Sequence, residues 1–125
     1  MMLLDTYAWI ELFTGSTKGK KVEEIIKSET KIFTSILSLA EITVWCLRNQ
    51  KNVSERLEIV KKYSEILDLS EKIVEIGGRI NFEIKKKEKT FGMIDSLIYA
   101  TAQIYSLKLL TGDKHFKNLD DVIML

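Results

Sequence analysis

Met1-Met2-Leu3-Leu4-Asp5-Thr6 opens the chain as an apolar run closed by an acid and a hydroxyl. A run this short reads as a buried strand, about residues 1–5, leading into a helix over Thr6–Phe13. Asp5 then suits two jobs, capping that helix or presenting a carboxylate at the edge of a sheet. The pattern returns near the other end in Leu107-Lys108-Leu109-Leu110-Thr111-Gly112-Asp113. Between and beyond these runs, further short strands are predicted at Ile32-Phe33-Thr34, Ile66-Leu67-Asp68-Leu69 and Val122-Ile123-Met124. Helical periods separate them. After a loop at Thr14–Gly19, Lys20–Lys27 carries Val22, Ile25 and Ile26 on one side. Ser35–Asn49 shows a stripe of Leu37, Ala40, Val44 and Leu47. Ser54–Ser64 starts at a capping serine, and Ser70–Lys87 carries Ile73, Ile76, Ile80 and Ile84. A loop at Thr90–Met93 precedes Ile94–Tyr105, which is apolar on most sides and therefore buried between neighbours. Strands alternating with helices imply βαβ units and a parallel sheet covered on both faces. Ligands bind such sheets beyond the carboxyl ends of the strands, where Asp5 and Asp113 lie.

The bulk numbers are consistent with that reading. A chain of 125 residues with 46% apolar content suits a single domain, residues 1–125, with a real core. The net charge of +1 gives no global field for nucleic acid, so any such binding rests on local patches. Cys46 is the single cysteine, which suits a reducing cytosol. No stretch is long and apolar enough for a membrane span, and no secretory leader is legible, so a cytoplasmic location is expected.

Two further acids interrupt predicted helical stripes. Glu41 shares a face with Leu37, Ala40 and Val44, and Asp95 lies three and four residues before Ile98 and Tyr99. Each acid has an ordinary reading: Asp5 as a cap, Glu41 at a stripe margin, Asp95 in a first turn, Asp113 in a turn. Taken together, Asp5, Glu41, Asp95 and Asp113 belong to elements that should converge, and converging carboxylates repel unless a cation neutralises them. All-oxygen ligands suit Mg²⁺ or Mn²⁺ rather than zinc. Thr6 and Thr111 could orient a carboxylate or serve local turns. His115 reads as a surface histidine without function. Lys18, Lys20 and Lys21, and the run Lys85, Lys86, Lys87 and Lys89, could hold a phosphate backbone or simply be solvated helix ends. Nucleotide-binding glycine loops are absent.

The ordered set Leu4-Asp5-Thr6, Leu39-Ala40-Glu41, Asp95-Ser96-Leu97-Ile98-Tyr99-Ala100-Thr101-Ala102 and Leu110-Thr111-Gly112-Asp113-Lys114-His115-Phe116 resembles the PIN-domain ribonucleases. It is most similar to the VapC-type toxins of toxin–antitoxin pairs. The resemblance covers essentially the whole chain. It implies a three-layer α/β/α fold with a short central parallel sheet of four to five strands. It also implies an endoribonuclease dependent on Mg²⁺ or Mn²⁺, with Asp5, Glu41, Asp95 and Asp113 at the family's acidic positions. Thr111 would take the supporting hydroxyl position. Homodimers and an inhibitory antitoxin are the implied partners, with RNA as substrate. Tyr7 and Ala8 depart from the small residues frequent after the first acid. Two other readings compete: a receiver-like Mg²⁺-binding signalling domain using Asp68 and Lys114, and a metal-free module that binds RNA or protein. Tyr7, Trp9, Phe13 and Trp45 are candidates for core packing or for a dimer contact.

Overall fold

The computed structural model describes residues 1–28 and 31–125. Five strands form one parallel sheet in the order β3-β2-β1-β4-β5. They are β1 (Met2–Leu4), β2 (Ile32–Ser35), β3 (Glu65–Leu67), β4 (Lys108–Thr111) and β5 (Val122–Met124). The helices are α1 (Thr6–Thr14), α2 (Thr17–Ser28), α3 (Ile36–Arg48), α4 (Val53–Tyr63), α5 (Glu71–Lys85) and α6 (Met93–Ile104). A short 3-10 turn, Lys114–Phe116, follows β4.

Alternation along each strand divides the core. Leu3, Phe33, Leu67 and Leu109 point to one face, against Phe91, Ile98, Tyr99, Ala102 and Phe116. Leu4, Ile32 and Leu110 point to the other, against Ala8, Trp9, Val22, Ile42, Cys46 and Val60. This is the expected three-layer α/β/α arrangement, with α5 and α6 on one side and α1 to α4 on the other. After β1 the chain steps outward to β2 and β3, then returns to the opposite flank of β1 as β4. The carboxyl ends of β1 and β4 therefore form the topological switch point, where open parallel sheets leave a crevice. Leu4 pairs with Leu110 in this register. One residue later, Asp5 N donates to Leu110 O at 3.2 Å.

Several sequence expectations shift. The predicted loop at Thr14–Gly19 is only a tight corner: Gly15 closes α1 at φ 69°, and α2 is under way by Thr17. Gly19 lies inside α2 because a methyl group there would collide with the Glu11 carbonyl where α1 and α2 cross. The cap of α4 is Asn52, whose Oδ1 accepts from Glu55 N at 2.9 Å, and not Ser54. β3 begins one residue earlier than expected, at Glu65, and ends at Leu67.

The largest correction concerns α3. Ala40, Val44 and Leu47 of its predicted stripe are exposed, and the buried positions are Ser38, Ile42 and Cys46. A helix with apolar residues on nearly every side has no unique inner face in its sequence; contact with α1 and the sheet selects one. Trp9 is fully buried, its Nε1 donating to Thr34 Oγ1 at 3.0 Å. Phe13 and Trp45 continue a stacked row from it, with ring centroids 6.3 and 6.1 Å apart.

Candidate active site

Asp5 follows β1 directly and performs both jobs its sequence position allowed. Its Oδ1 caps α1 by accepting from Ala8 N at 2.9 Å, while its Oδ2 accepts from Thr111 Oγ1 at 2.5 Å. Thr111 ends β4 fully buried, and its Oγ1 in turn accepts from Asp113 N at 2.9 Å. The two strand ends are thus joined through one hydroxyl. Asp113 Oδ1 then accepts from His115 N at 2.9 Å and starts the 3-10 turn. Gly112 is required between them, because a Cβ there would enter the ring of Tyr7. Lys18 lies over the other part of this packing, with Nζ 5.6 Å from the Tyr7 centroid.

Asp95 arrives from the other face of the sheet, on the first turn of α6. Its carboxylate oxygen, one of Asp113 and a ring nitrogen of His115 lie within 4.8 Å of one another. Glu41 reaches in from α3, where Thr6 Oγ1 donates to its Oε1 at 2.5 Å. Thr6 also lies 3.1 Å from Ser38 Oγ. Glu41 and Asp5 both stand outside the 4.8 Å group, but Asp95 feels the charge of Glu41, and Asp5 feels those of Asp95 and Asp113.

The electrostatics of this edge are unrelieved. Burial pushes the Asp5 carboxyl up to about 7, and the charges of Asp95 and Asp113 add to the rise. Hydrogen bonds from Thr111 and Ala8 oppose it without cancelling it. Asp95 is pushed up to about 6, first by burial and then by Asp113 and Glu41, with only partial relief from His115 and the Gly92 backbone. Carboxyls whose proton affinity is raised by burial, and further by neighbouring carboxylates, are the donors a divalent cation would satisfy. The set fits a hard ion: mostly carboxylate oxygens, one imidazole, and no thiolate, since Cys46 is buried in the core.

The structure places His115 beside Asp113 and Asp95, a position the sequence alone did not give it. A lone histidine carries no pattern, and only its spacing of two from Asp113 hinted at the site. Asn81 was missed as well. Buried on α5, its Nδ2 donates to Ser96 Oγ at 2.9 Å and to Phe91 O at 3.2 Å. It fixes the turn that leads into Asp95. A polar residue eight positions after Ile73, on the same face of α5, was the available signal. Asp68 is exposed and follows the edge strand β3, two strands from β1, so the arrangement needed for a receiver domain is not present.

The family model described as PIN domain matches residues 2–122, and the chain belongs to that family. Its fold is shared with solved toxin structures. It is similar to a chain of a toxin–antitoxin complex from Klebsiella pneumoniae, with a TM-score of 0.80, 22% identity, and coverage of 99% of this chain and 97% of that one. FitAcB from Neisseria gonorrhoeae gives a TM-score of 0.77 at 26% identity, covering 100% and 97%. VapC20 from Mycobacterium tuberculosis, described as a toxin that cleaves the sarcin–ricin loop, gives 0.78 at 13% identity, covering 96% and 95%. Comparison with curated proteins gives no match.

Proposed function

We propose that this chain is an endoribonuclease dependent on Mg²⁺ or Mn²⁺, a single catalytic domain acting in the cytoplasm as the toxin of a toxin–antitoxin pair. The observation that carries the reading is the approach of Asp95 and Asp113 beside the switch point between β1 and β4, where Asp5 is held by Thr111 and feels both charges, with Glu41 alongside. Membership of the PIN domain family supports it. So do the described properties of similar structures, which include toxin–antitoxin complexes and a toxin that cleaves the sarcin–ricin loop.

Asp5, Glu41, Asp95 and Asp113 would hold the ion. When bound, a divalent cation activates water as a nucleophile and stabilises charge on the phosphate oxygens. The remaining work falls to the chain. Thr111 fixes the Asp5 carboxylate by donating to Oδ2, and Thr6 fixes Glu41 in the same way. Lys18, held over Tyr7 beside Gly112, supplies positive charge next to the Asp113 turn, suited to an RNA phosphate. An apolar groove lined by Ile10, Ala40, Val44, Trp45 and Ile94 adjoins Glu41 and Thr6. That groove suits an inhibitory antitoxin segment that covers the acids, or a second copy in a homodimer. Among the described residues no helix is long and apolar enough to cross a membrane.

Purified protein should cleave RNA when Mg²⁺ or Mn²⁺ is supplied and should stop when it is chelated. Asp95→Asn should be inert under the same conditions. Undiminished cleavage in EDTA, or by the variant, would remove the carboxylates from the chemistry.

A further inference from the structure

His115 occupies a position that its surroundings define closely. Its Nε2 lies 3.0 Å from Thr90 Oγ1. Thr90 spends its one hydroxyl proton on Glu88 Oε1, also at 3.0 Å. Toward His115 the threonine can only accept, so Nε2 carries the ring hydrogen. The other nitrogen, Nδ1, lies 3.1 Å from Asp113 Oδ1. In a neutral ring that nitrogen presents a lone pair to a carboxylate oxygen. Two acceptors at this distance need positive charge between or beside them. An added proton on Nδ1 would bridge one pair. A divalent ion would satisfy Nδ1, Asp113 and Asp95 together, and their donor atoms already lie within 4.8 Å of one another.

We infer that His115 Nδ1 is a ligand of the metal centre, giving it a mixed nitrogen and oxygen donor set that favours Mn²⁺ over Mg²⁺. This rests on the metal-dependent reading above and deepens it by naming the ion. Mg²⁺ prefers oxygen donors, demands near-ideal octahedral geometry and sheds its water reluctantly, whereas the transition ion Mn²⁺ accepts an imidazole nitrogen beside carboxylates more readily. The relay from Nε2 through Thr90 to Glu88 is the outer support that metal-bound histidines commonly have. It fixes the tautomer and aims the ring. Glu88 and Thr90 lie in the segment joining α5 to α6, so the connection that delivers Asp95 also orients His115.

The test uses the full chain titrated with MnCl₂ and, separately, with MgCl₂, following thermal stabilisation. Pulsed electron paramagnetic resonance of the Mn²⁺ complex then reads nitrogen coupling directly. Wild type should bind Mn²⁺ more tightly than Mg²⁺ and show ¹⁴N modulation from a bound imidazole. His115→Gln should lose that modulation and weaken Mn²⁺ about tenfold or more, as loss of a supporting or direct ligand does. Its Mg²⁺ affinity should change less than threefold. Thr90→Val should weaken Mn²⁺ in the same direction by a smaller factor, with unchanged circular dichroism. Bound Mn²⁺ without ¹⁴N modulation in the wild type overturns the ligand role while leaving the carboxylate centre standing. Equal weakening of both ions in His115→Gln does the same. Failure of the folded wild type to bind either ion overturns the metal-dependent nuclease reading itself, and this inference with it.

Discussion

Asp95 and Ser96 are neighbours on the first turn of α6, yet they enter opposite kinds of polar cluster. Ser96 is fully buried and closed. Its hydroxyl donates to Gly92 O at 3.0 Å and accepts from Asn81 Nδ2 at 2.9 Å, and Asn81 also reaches Phe91 O. Every member is neutral and partnered, so the cluster stabilises the α5–α6 corner without outside help. Asp95 faces Asp113 and Glu41, and among the described residues no lysine or arginine forms a salt bridge with these acids. Hydrogen bonds satisfy geometry, but they do not remove net charge. The lesson is that satisfied polar burial marks architecture, while unbalanced charge on the same element marks a candidate functional site.

The sharpest break of this comparison is exchange of charge for neutrality on the unbalanced side. Asp5→Asn and Asp95→Asn should each lower RNA cleavage by on the order of 10²-fold or more, the scale on which a single electrostatic group at a reacting centre acts. Both variants should keep or raise the stability of the metal-free protein, as measured by urea denaturation. A loss of stability in step with activity would place these acids among the architectural groups.

The second test is pH. An unfolded aspartate gives up its proton near 3.8, whereas folded Asp5 keeps it up to about 7. The folded state therefore binds more protons between those values. The stability this contributes is complete below the lower one and is lost as pH rises through the upper one. The full loss corresponds to roughly 4 kcal/mol in the metal-free protein. Asp5→Asn should flatten the profile. Saturating Mn²⁺ competes with the protons, so its stabilising effect should grow from pH 6 to 8. A metal-free stability that rises across this window would contradict the unbalanced charge.

On the balanced side the expectation reverses. Asn81→Leu leaves Ser96 Oγ and Phe91 O short of a donor and should cost about 2–3 kcal/mol of stability. Cleavage per folded molecule should fall less than in Asp95→Asn. Thr111→Val is the smallest effect and lies between the two clusters in character. It removes the donor to Asp5 and the acceptor for Asp113 N, and should reduce activity about 10–100-fold through misplaced carboxylates. Thr111→Ser should restore most of it, which a purely packing role for Thr111 would not allow.

The ends of the strands were legible because short apolar runs that close on an acid have few alternatives once helices alternate with them. Asp5 and Asp113 at the strand ends follow from that pattern, while only the structure shows that one Asp5 oxygen caps α1 and the other accepts from Thr111. The inner face of α3 was not legible. Leu37, Leu39, Ile42, Val44, Trp45, Cys46 and Leu47 offer several stripes, and packing chose Ile42 and Cys46. Glu41 consequently borders an exposed apolar groove, not a buried stripe, and Thr6 from α1 orients it there.

The amino-acid order alone determined the alternation of elements, the parallel sheet and the place of Asp5 and Asp113 at its carboxyl edge, since local apolar period and chain direction are written residue by residue. Only the folded chain decided that His115 joins Asp95 and Asp113, and that Asn81 braces the turn before them. Those relations depend on side chains apart in sequence: Asn81 meets Ser96 at 2.9 Å, and Asp95 comes within 4.8 Å of Asp113 and His115. No local period encodes a meeting of that kind. It exists because β4 returns to the flank of β1 and α5 packs on α6 through Gly77, where a side chain would collide with Leu97.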